Sequence, residues 1–101
     1  MKKTLLLVDD EPNSLKVLSS VLKKEGFATH TALDAESAWK VFTENAVHGV
    51  ITDLKLPGKS GLDLLEWVKA AEPDMPMIMI TAYGSIENAV QAMKLGDYNY
   101  L

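Results

Sequence analysis

Val50-Ile51-Thr52-Asp53-Leu54-Lys55-Leu56-Pro57-Gly58 is the stretch whose reading decides the fold. An apolar run ends on a carboxylate, and a Pro-Gly break follows at once. Val, Ile and Thr favour a strand, and Pro57-Gly58 ends it. Asp53 then stands at the carboxyl end of a strand, the edge at which open α/β sheets keep their ligand crevice. Taken alone, an Asp there is an ordinary polar residue at a loop. The other strand ends change that reading.

Working outward, Gly49 to Asp53 forms the central strand, and two further runs resemble it. Thr4 to Val8 is continuously apolar and ends on Asp9-Asp10, and Met77-Ile78-Met79-Ile80 follows Pro76 and closes on Thr81-Ala82. Continuous rather than alternating hydrophobicity marks strands covered on both faces, as in a parallel sheet. Phe27 to Thr31 reads as a shorter strand, and Tyr98-Asn99-Tyr100-Leu101 as the start of a fifth. Helical stretches separate them. Pro12 suits a first turn capped by Asp10 or Glu11, with Leu15, Leu18, Val21 and Leu22 on one face and Gly26 as the stop. Asp34 caps a second helix through Ala35, Ala38, Trp39 and Phe42, and Asn45 and Gly49 allow it to end. Ser60 caps a third through Leu62, Leu65, Val68 and Lys69, ending before Pro73. Ser85 opens a fourth through Ile86, Ala89, Val90 and Met93, stopped by Gly96. The alternation βαβαβαβαβ predicts an α/β, doubly wound, five-stranded parallel sheet in the flavodoxin-like order 2-1-3-4-5.

Composition bounds the function. The chain of 101 residues suits one domain, 1–101, and its 48% hydrophobic and 24% charged residues are ordinary for a globular protein. A net charge of −4 and a pI near 5.0 argue against direct nucleic-acid binding. The absence of cysteine excludes disulfides, thiolate metal sites and cysteine nucleophiles. No apolar run approaches the roughly 18 residues that span a bilayer. The Leu5–Val8 run after Lys2-Lys3 is too short for a signal peptide, so a cytoplasmic location is expected.

In the predicted strand order the first and third strands are neighbours at the topological switch point. Asp9 and Asp10 end the first, Asp53 the third and Thr81 the fourth, all at one edge of the sheet. Carboxylates gathered in one crevice repel one another and call for a cation. Oxygen-only ligands favour a hard ion, Mg²⁺ or Mn²⁺, with coordination positions left for phosphoryl oxygens. Without Asp53 and Thr81, Asp9-Asp10-Glu11 would be no more than an acidic helix start, stabilising by about 0.3–1 kcal/mol. His30 and His48 lack metal-ligand spacing, Trp39 and Trp67 fit packing faces, and the methionines at 75, 77 and 79 belong to a strand and its approach.

These residues resemble the receiver domains of two-component response regulators. The matching motifs are Val8-Asp9-Asp10-Glu11, Thr52-Asp53 followed by Pro57 and Gly61, Ile80-Thr81-Ala82, and Gly96 through Tyr100. The resemblance implies that Asp53 accepts a phosphoryl group from a sensor histidine kinase. It implies that Asp10 binds Mg²⁺ directly and Asp9 through water, with the Lys55 backbone carbonyl and Asp53 completing the protein ligands. Thr81 would be the switch hydroxyl and Tyr100 the aromatic that turns inward with it, while Lys55 and Tyr83 tune hydrolysis. Such a domain catalyses only its own phosphoryl transfer and loss. Pro57-Gly58-Lys59-Ser60-Gly61-Leu62-Asp63-Leu64-Leu65 and the Tyr83-Gly84-Ser85 loop look like the NtrC class, whose members carry ATPase and DNA-binding domains after the receiver. A homodimer through the fourth helix and fifth strand is also implied.

One departure stands out. The family places a lysine three residues after the switch aromatic, position 103 here, beyond Leu101. A C-terminally truncated receiver lacking the last helix is therefore expected. Other readings fit less well. The intact carboxylate set argues against a pseudo-receiver that binds partners without phosphorylation. A haloacid-dehalogenase-type phosphatase wants an acid where Lys55 stands. A flavodoxin wants a hydroxyl- and glycine-rich phosphate loop after the first strand.

Overall fold

A computed structural model of the chain describes residues 2–80. The expected fourth helix and fifth strand, with Thr81, Tyr83 and Tyr100, lie outside the described residues. Within them the chain runs β1 (Thr4–Val8), α1 (Pro12–Lys24), β2 (Ala28–Ala32), α2 (Ala35–Glu44), β3 (Gly49–Asp53), α3 (Gly61–Ala71) and β4 (Met77–Ile80). The strands pair in parallel in the order β2-β1-β3-β4. This is the expected doubly wound arrangement over the strands described, with β2 running over Ala28–Ala32 rather than from Phe27.

The alternation of side chains along β1 divides the core. Leu5 and Leu7, with Ile51 of β3 and Ile78 of β4, pack against Leu15, Leu18 and Leu22 of α1. Leu6 and Val8, with Val50 and Met77, pack on the opposite face against Ala35 and Ala38 of α2 and Leu64 and Val68 of α3. Leu5 to Val8 are all buried, as the unbroken apolar run requires. Each such side chain contributes about 1.5–3 kcal/mol by leaving water, so the sheet is anchored directly beneath the acidic edge.

The helices begin where their caps dictate. The Glu11 carboxylate accepts from the Asn13 N–H ahead of Pro12 at N1, and Asp34 accepts from the Ser37 N–H at 2.7 Å. Ser60 and Asp63 form a reciprocal capping box at α3, which satisfies two of its orphan donors at once. Gly26, at φ +95°, turns the chain out of α1 in a conformation that costs glycine little.

Two helix faces differ from expectation. In α1, Val21 is exposed and the seam is Leu15, Leu18 and Leu22. In α3, Leu62 is 53% exposed while Gly61, Leu64 and Val68 are buried. The sequence offers two apolar stripes on α3, and packing against the sheet selects the one that carries Leu64 and Val68. Lys69 extends from α3 to donate from Nζ to the carbonyls of Pro73 and Met75, holding the turn into β4. Trp39 stacks on Phe42 of its own helix and meets Trp67 of α3 edge-on at 6.1 Å, so both tryptophans serve packing. His48 also has structural work: its Nδ1 accepts from the Thr4 N–H at 2.9 Å, and its own N–H donates to the Thr4 carbonyl.

Candidate functional site

The register of the sheet builds the site. Val8 of β1 lies opposite Thr52 of β3, so the next residue of each strand brings Asp9 beside Asp53. Asp10 follows before α1 begins. One carboxylate oxygen from each of Asp9, Asp10 and Asp53 lies within 4.8 Å of the others. Asp9 and Asp53 are half-buried and Asp10 is exposed. The crevice predicted from strand ends is thus assembled from these three residues. Thr81, expected on the same edge, lies outside the described residues.

Two similar turns aim the half-buried carboxylates. Asp9 Oδ1 accepts from the Glu11 N–H at 2.9 Å, and Asp53 Oδ1 accepts from the Lys55 N–H at 3.3 Å. In each, an aspartate caps the turn that leaves its own strand. Further backbone bonds brace the edge: the Asp9 N–H reaches the Ala32 carbonyl and the Leu54 N–H the Ile80 carbonyl. Each strand therefore keeps its ladder one residue past the last paired position, and the carboxylates stand on a fixed frame. Lys55 lies in the loop directly after β3, tied to Asp53 through its backbone.

The electrostatics follow from burial first and crowding second. Burial pushes the Asp9 carboxyl above its ordinary value of 3.8; the Glu11 N–H pulls it down, and the Asp53 and Asp10 charges push it further up. Two unit charges 4 Å apart interact by about 1 kcal/mol in water and about 4 kcal/mol near a protein surface. The oxygen-only donor set, two members half-buried and all within 4.8 Å, suits a small hard divalent ion.

Two contributors to this geometry escaped the reading of site residues. Thr52 is fully buried, and its Oγ1 donates to the Asp53 carbonyl at 3.0 Å. A hydroxyl inside an otherwise apolar strand run is the signal that finds it, because a buried hydroxyl requires a partner. Gly61 opens α3 hard against the end of β3, where a Cβ would lie 2.3 Å from the Asp53 carbonyl oxygen. Its signal is a glycine in a helical first turn, where most other residues are better helix formers.

A doubly wound parallel sheet with an acidic crevice at its switch point defines a class of α/β proteins suited to divalent ions and phosphoryl groups. Residues 5–101 match the response regulator receiver domain family, and the chain belongs to that family. Among curated relatives it is 40% identical over 99 residues to a putative NtrX-like response regulator of Rickettsia bellii, covering 96% of this chain and 21% of the relative. It is 35% identical over 100 residues to the response regulator PilR of Pseudomonas aeruginosa, covering 99% of this chain and 22% of the relative. Both belong with the NtrC-class regulators that the loop residues resemble. The crystal structure of the response regulator TrrA of Thermotoga maritima, in complex with Mg²⁺ and BeF, aligns over 97% of this chain and 83% of its own, with TM-score 0.79 and 32% identity. The chain spans about a fifth of the length of these curated relatives (21% and 22%). Among the described residues no helix is long and apolar enough to cross a membrane.

Proposed function

We propose that residues 1–101 act as a phosphoaccepting switch whose acceptor is Asp53. The observation that carries this reading is the meeting of Asp9, Asp10 and Asp53 within 4.8 Å at the carboxyl ends of β1 and β3. An isolated helix cap would use one carboxylate. Three, two of them half-buried, form a binding site, and the relative TrrA, solved with Mg²⁺ and BeF, supports its use for a metal and a phosphoryl-like group.

On this reading Asp9, Asp10, Asp53 and the Lys55 carbonyl would hold Mg²⁺. The ion, when bound, neutralises charge around the transferring phosphoryl group. The rest is done by the chain. One Asp53 oxygen is fixed by the Lys55 N–H, and the carboxylate attacks phosphorus. An oxygen–phosphorus bond forms as the bond to the kinase imidazole nitrogen breaks; that nitrogen keeps the electron pair. The product is an acyl phosphate on Asp53, a covalent form of carboxylate chemistry. Thr81 would donate its hydroxyl to a phosphoryl oxygen, and Tyr100 would fill the space it leaves. The fourth helix and fifth strand would then present the output and a homodimer face.

The donor is a sensor histidine kinase in the cytoplasm. The output belongs to ATPase and DNA-binding domains of a longer regulator, as the NtrC-class relatives suggest. A pseudo-receiver remains the competing reading, and no observation favours it. The test is incubation with acetyl phosphate and Mg²⁺ followed by intact mass spectrometry at mildly acidic pH. One phosphoryl group is expected on the wild type and on Asp63→Asn, and none on Asp53→Asn. Equal labelling of the two variants would remove Asp53 from the role.

A further inference from the structure

We infer that Thr52 and Gly61 together form a clamp on the main-chain carbonyl of Asp53 and act as positioning residues for its carboxylate. The inference rests on the phosphoacceptor reading of Asp53. The Asp53 carbonyl is approached by two groups. The Thr52 hydroxyl donates to it at 3.0 Å, and the bare Cα of Gly61 leaves room for it where a methyl group would stand 2.3 Å away. Gly61 also donates its N–H to the Leu54 carbonyl at 2.9 Å, joining α3 to the residue after the acceptor.

Thr52 is buried on the face of the sheet that receives α2 and α3, opposite Val8 of β1 and Met79 of β4. Its neighbours along that face are apolar. A valine would fill this space equally well, so packing alone does not call for a hydroxyl. The hydroxyl instead has its partner in the peptide that carries the Asp53 side chain onward to Leu54. A buried hydroxyl left without a partner is costly, so the bond holds that peptide in one orientation. Gly61 acts on the same carbonyl. A Cβ there would also meet Met79 Sδ at 3.0 Å and Leu54 Cα at 3.1 Å. The thioether could move aside, but the carbonyl and Cα are backbone, and relief requires α3 or the strand end to shift by about an ångström. Displacement of that size at a reacting group can cost roughly 100-fold in rate. Because the Asp53 side chain and its carbonyl share one Cα, rotation of the peptide re-aims the carboxylate relative to Asp9 and Asp10.

Thr52→Val, Thr52→Ser and Gly61→Ala would be compared with the wild-type chain. Gly26→Ala serves as a control for lost stability, because its φ of +95° is strained for alanine while its surroundings are open. The measurement is the initial rate of phosphoryl gain from acetyl phosphate, taken per folded molecule. The amide shifts of Asp53 to Lys55, recorded without metal, give a readout independent of activity. Thr52→Val and Gly61→Ala should slow labelling at least about tenfold, inside the range that misplacement can produce, and move the Asp53 and Leu54 amides. Thr52→Ser should restore both, and Gly26→Ala should lose stability without slowing labelling. Wild-type rates in both Thr52→Val and Gly61→Ala would overturn the clamp while leaving the acceptor intact. Absence of labelling in the wild type would overturn the acceptor reading, and the clamp with it.

Discussion

Asp9 and Asp34 make similar local contacts in two regions and feel opposite effects. Each follows a strand, and each accepts a backbone N–H just ahead, Glu11 for Asp9 and Ser37 for Asp34. At Asp34 the Ser37 backbone and side chain hold the carboxyl below its ordinary value, because hydrogen bonds to an exposed carboxylate favour its charge. At Asp9 burial wins, helped by the Asp53 and Asp10 charges, and the carboxyl is raised. One aspartate stabilises a helix start. At the other, burial and two neighbouring carboxylates disfavour the charged form. The difference lies chiefly in the neighbours, burial and two acidic charges at Asp9 against an exposed helix start at Asp34.

The most direct way to sharpen this contrast is to supply the counter-ion. Mg²⁺ should raise the melting temperature of the wild-type domain through binding linkage, worth about 2.7 kcal/mol at a concentration one hundred times Kd. Asp10→Asn should lose most of that gain, whereas Asp34→Asn should keep it. The measurement is thermal unfolding with and without millimolar Mg²⁺. If the wild type does not respond, the crevice is not a metal site, and the contrast reduces to two helix starts.

A smaller effect comes from the structural side. Ser60→Ala removes the acceptor that the Asp63 N–H uses in the capping box and should destabilise the domain by about 1 kcal/mol. Urea unfolding would measure it, with an unchanged slope. The loss should be the same with and without Mg²⁺, since the cap belongs to the Asp34 kind of site. A Mg²⁺-dependent loss would show instead that α3 and the crevice are coupled through its first turn.

Much of this was legible in the residues. The runs Leu5–Val8 and Val50–Thr52 read as doubly covered strands, and a carboxylate closing each run placed Asp9 and Asp53 at one edge. Pro12, Asp34 and Ser60 named the helix starts correctly, since capping is local chemistry. Faces were harder. Leu62 and Leu64 are equally apolar, and only the packing of α3 on β3 decides that Leu64 goes inward. The roles of Thr52, Gly61 and His48 depend on atoms brought close by the fold: a carbonyl one peptide away, a strand end, and the N–H of Thr4, a residue 44 positions distant. Periodicity carries no record of such approaches.

The smallest expected effect is the pH dependence of Asp9, and its sign separates the two aspartates. A carboxyl raised on folding binds its proton more tightly in the folded state, so folding is penalised wherever the group must ionise. For Asp9 the penalty is absent below 3.8, grows as pH rises to the higher folded value, and is full at neutral pH. Asp34 runs the other way: its contribution is full above 3.8 and is lost as pH falls through its lowered value. Solvent screening keeps the Asp9 term small. Asp9→Asn keeps an oxygen for the Glu11 N–H while removing the charge. In chelator-treated buffer it should therefore be slightly more stable than the wild type at neutral pH, with the advantage disappearing on acidification toward 3.8. Asp34→Asn should be less stable than the wild type at neutral pH, with its deficit also shrinking in acid. Chemical denaturation across that pH range would record both differences. Should Asp9→Asn be less stable at neutral pH without metal, then the Glu11 bond outweighs burial, and the two aspartates are alike after all.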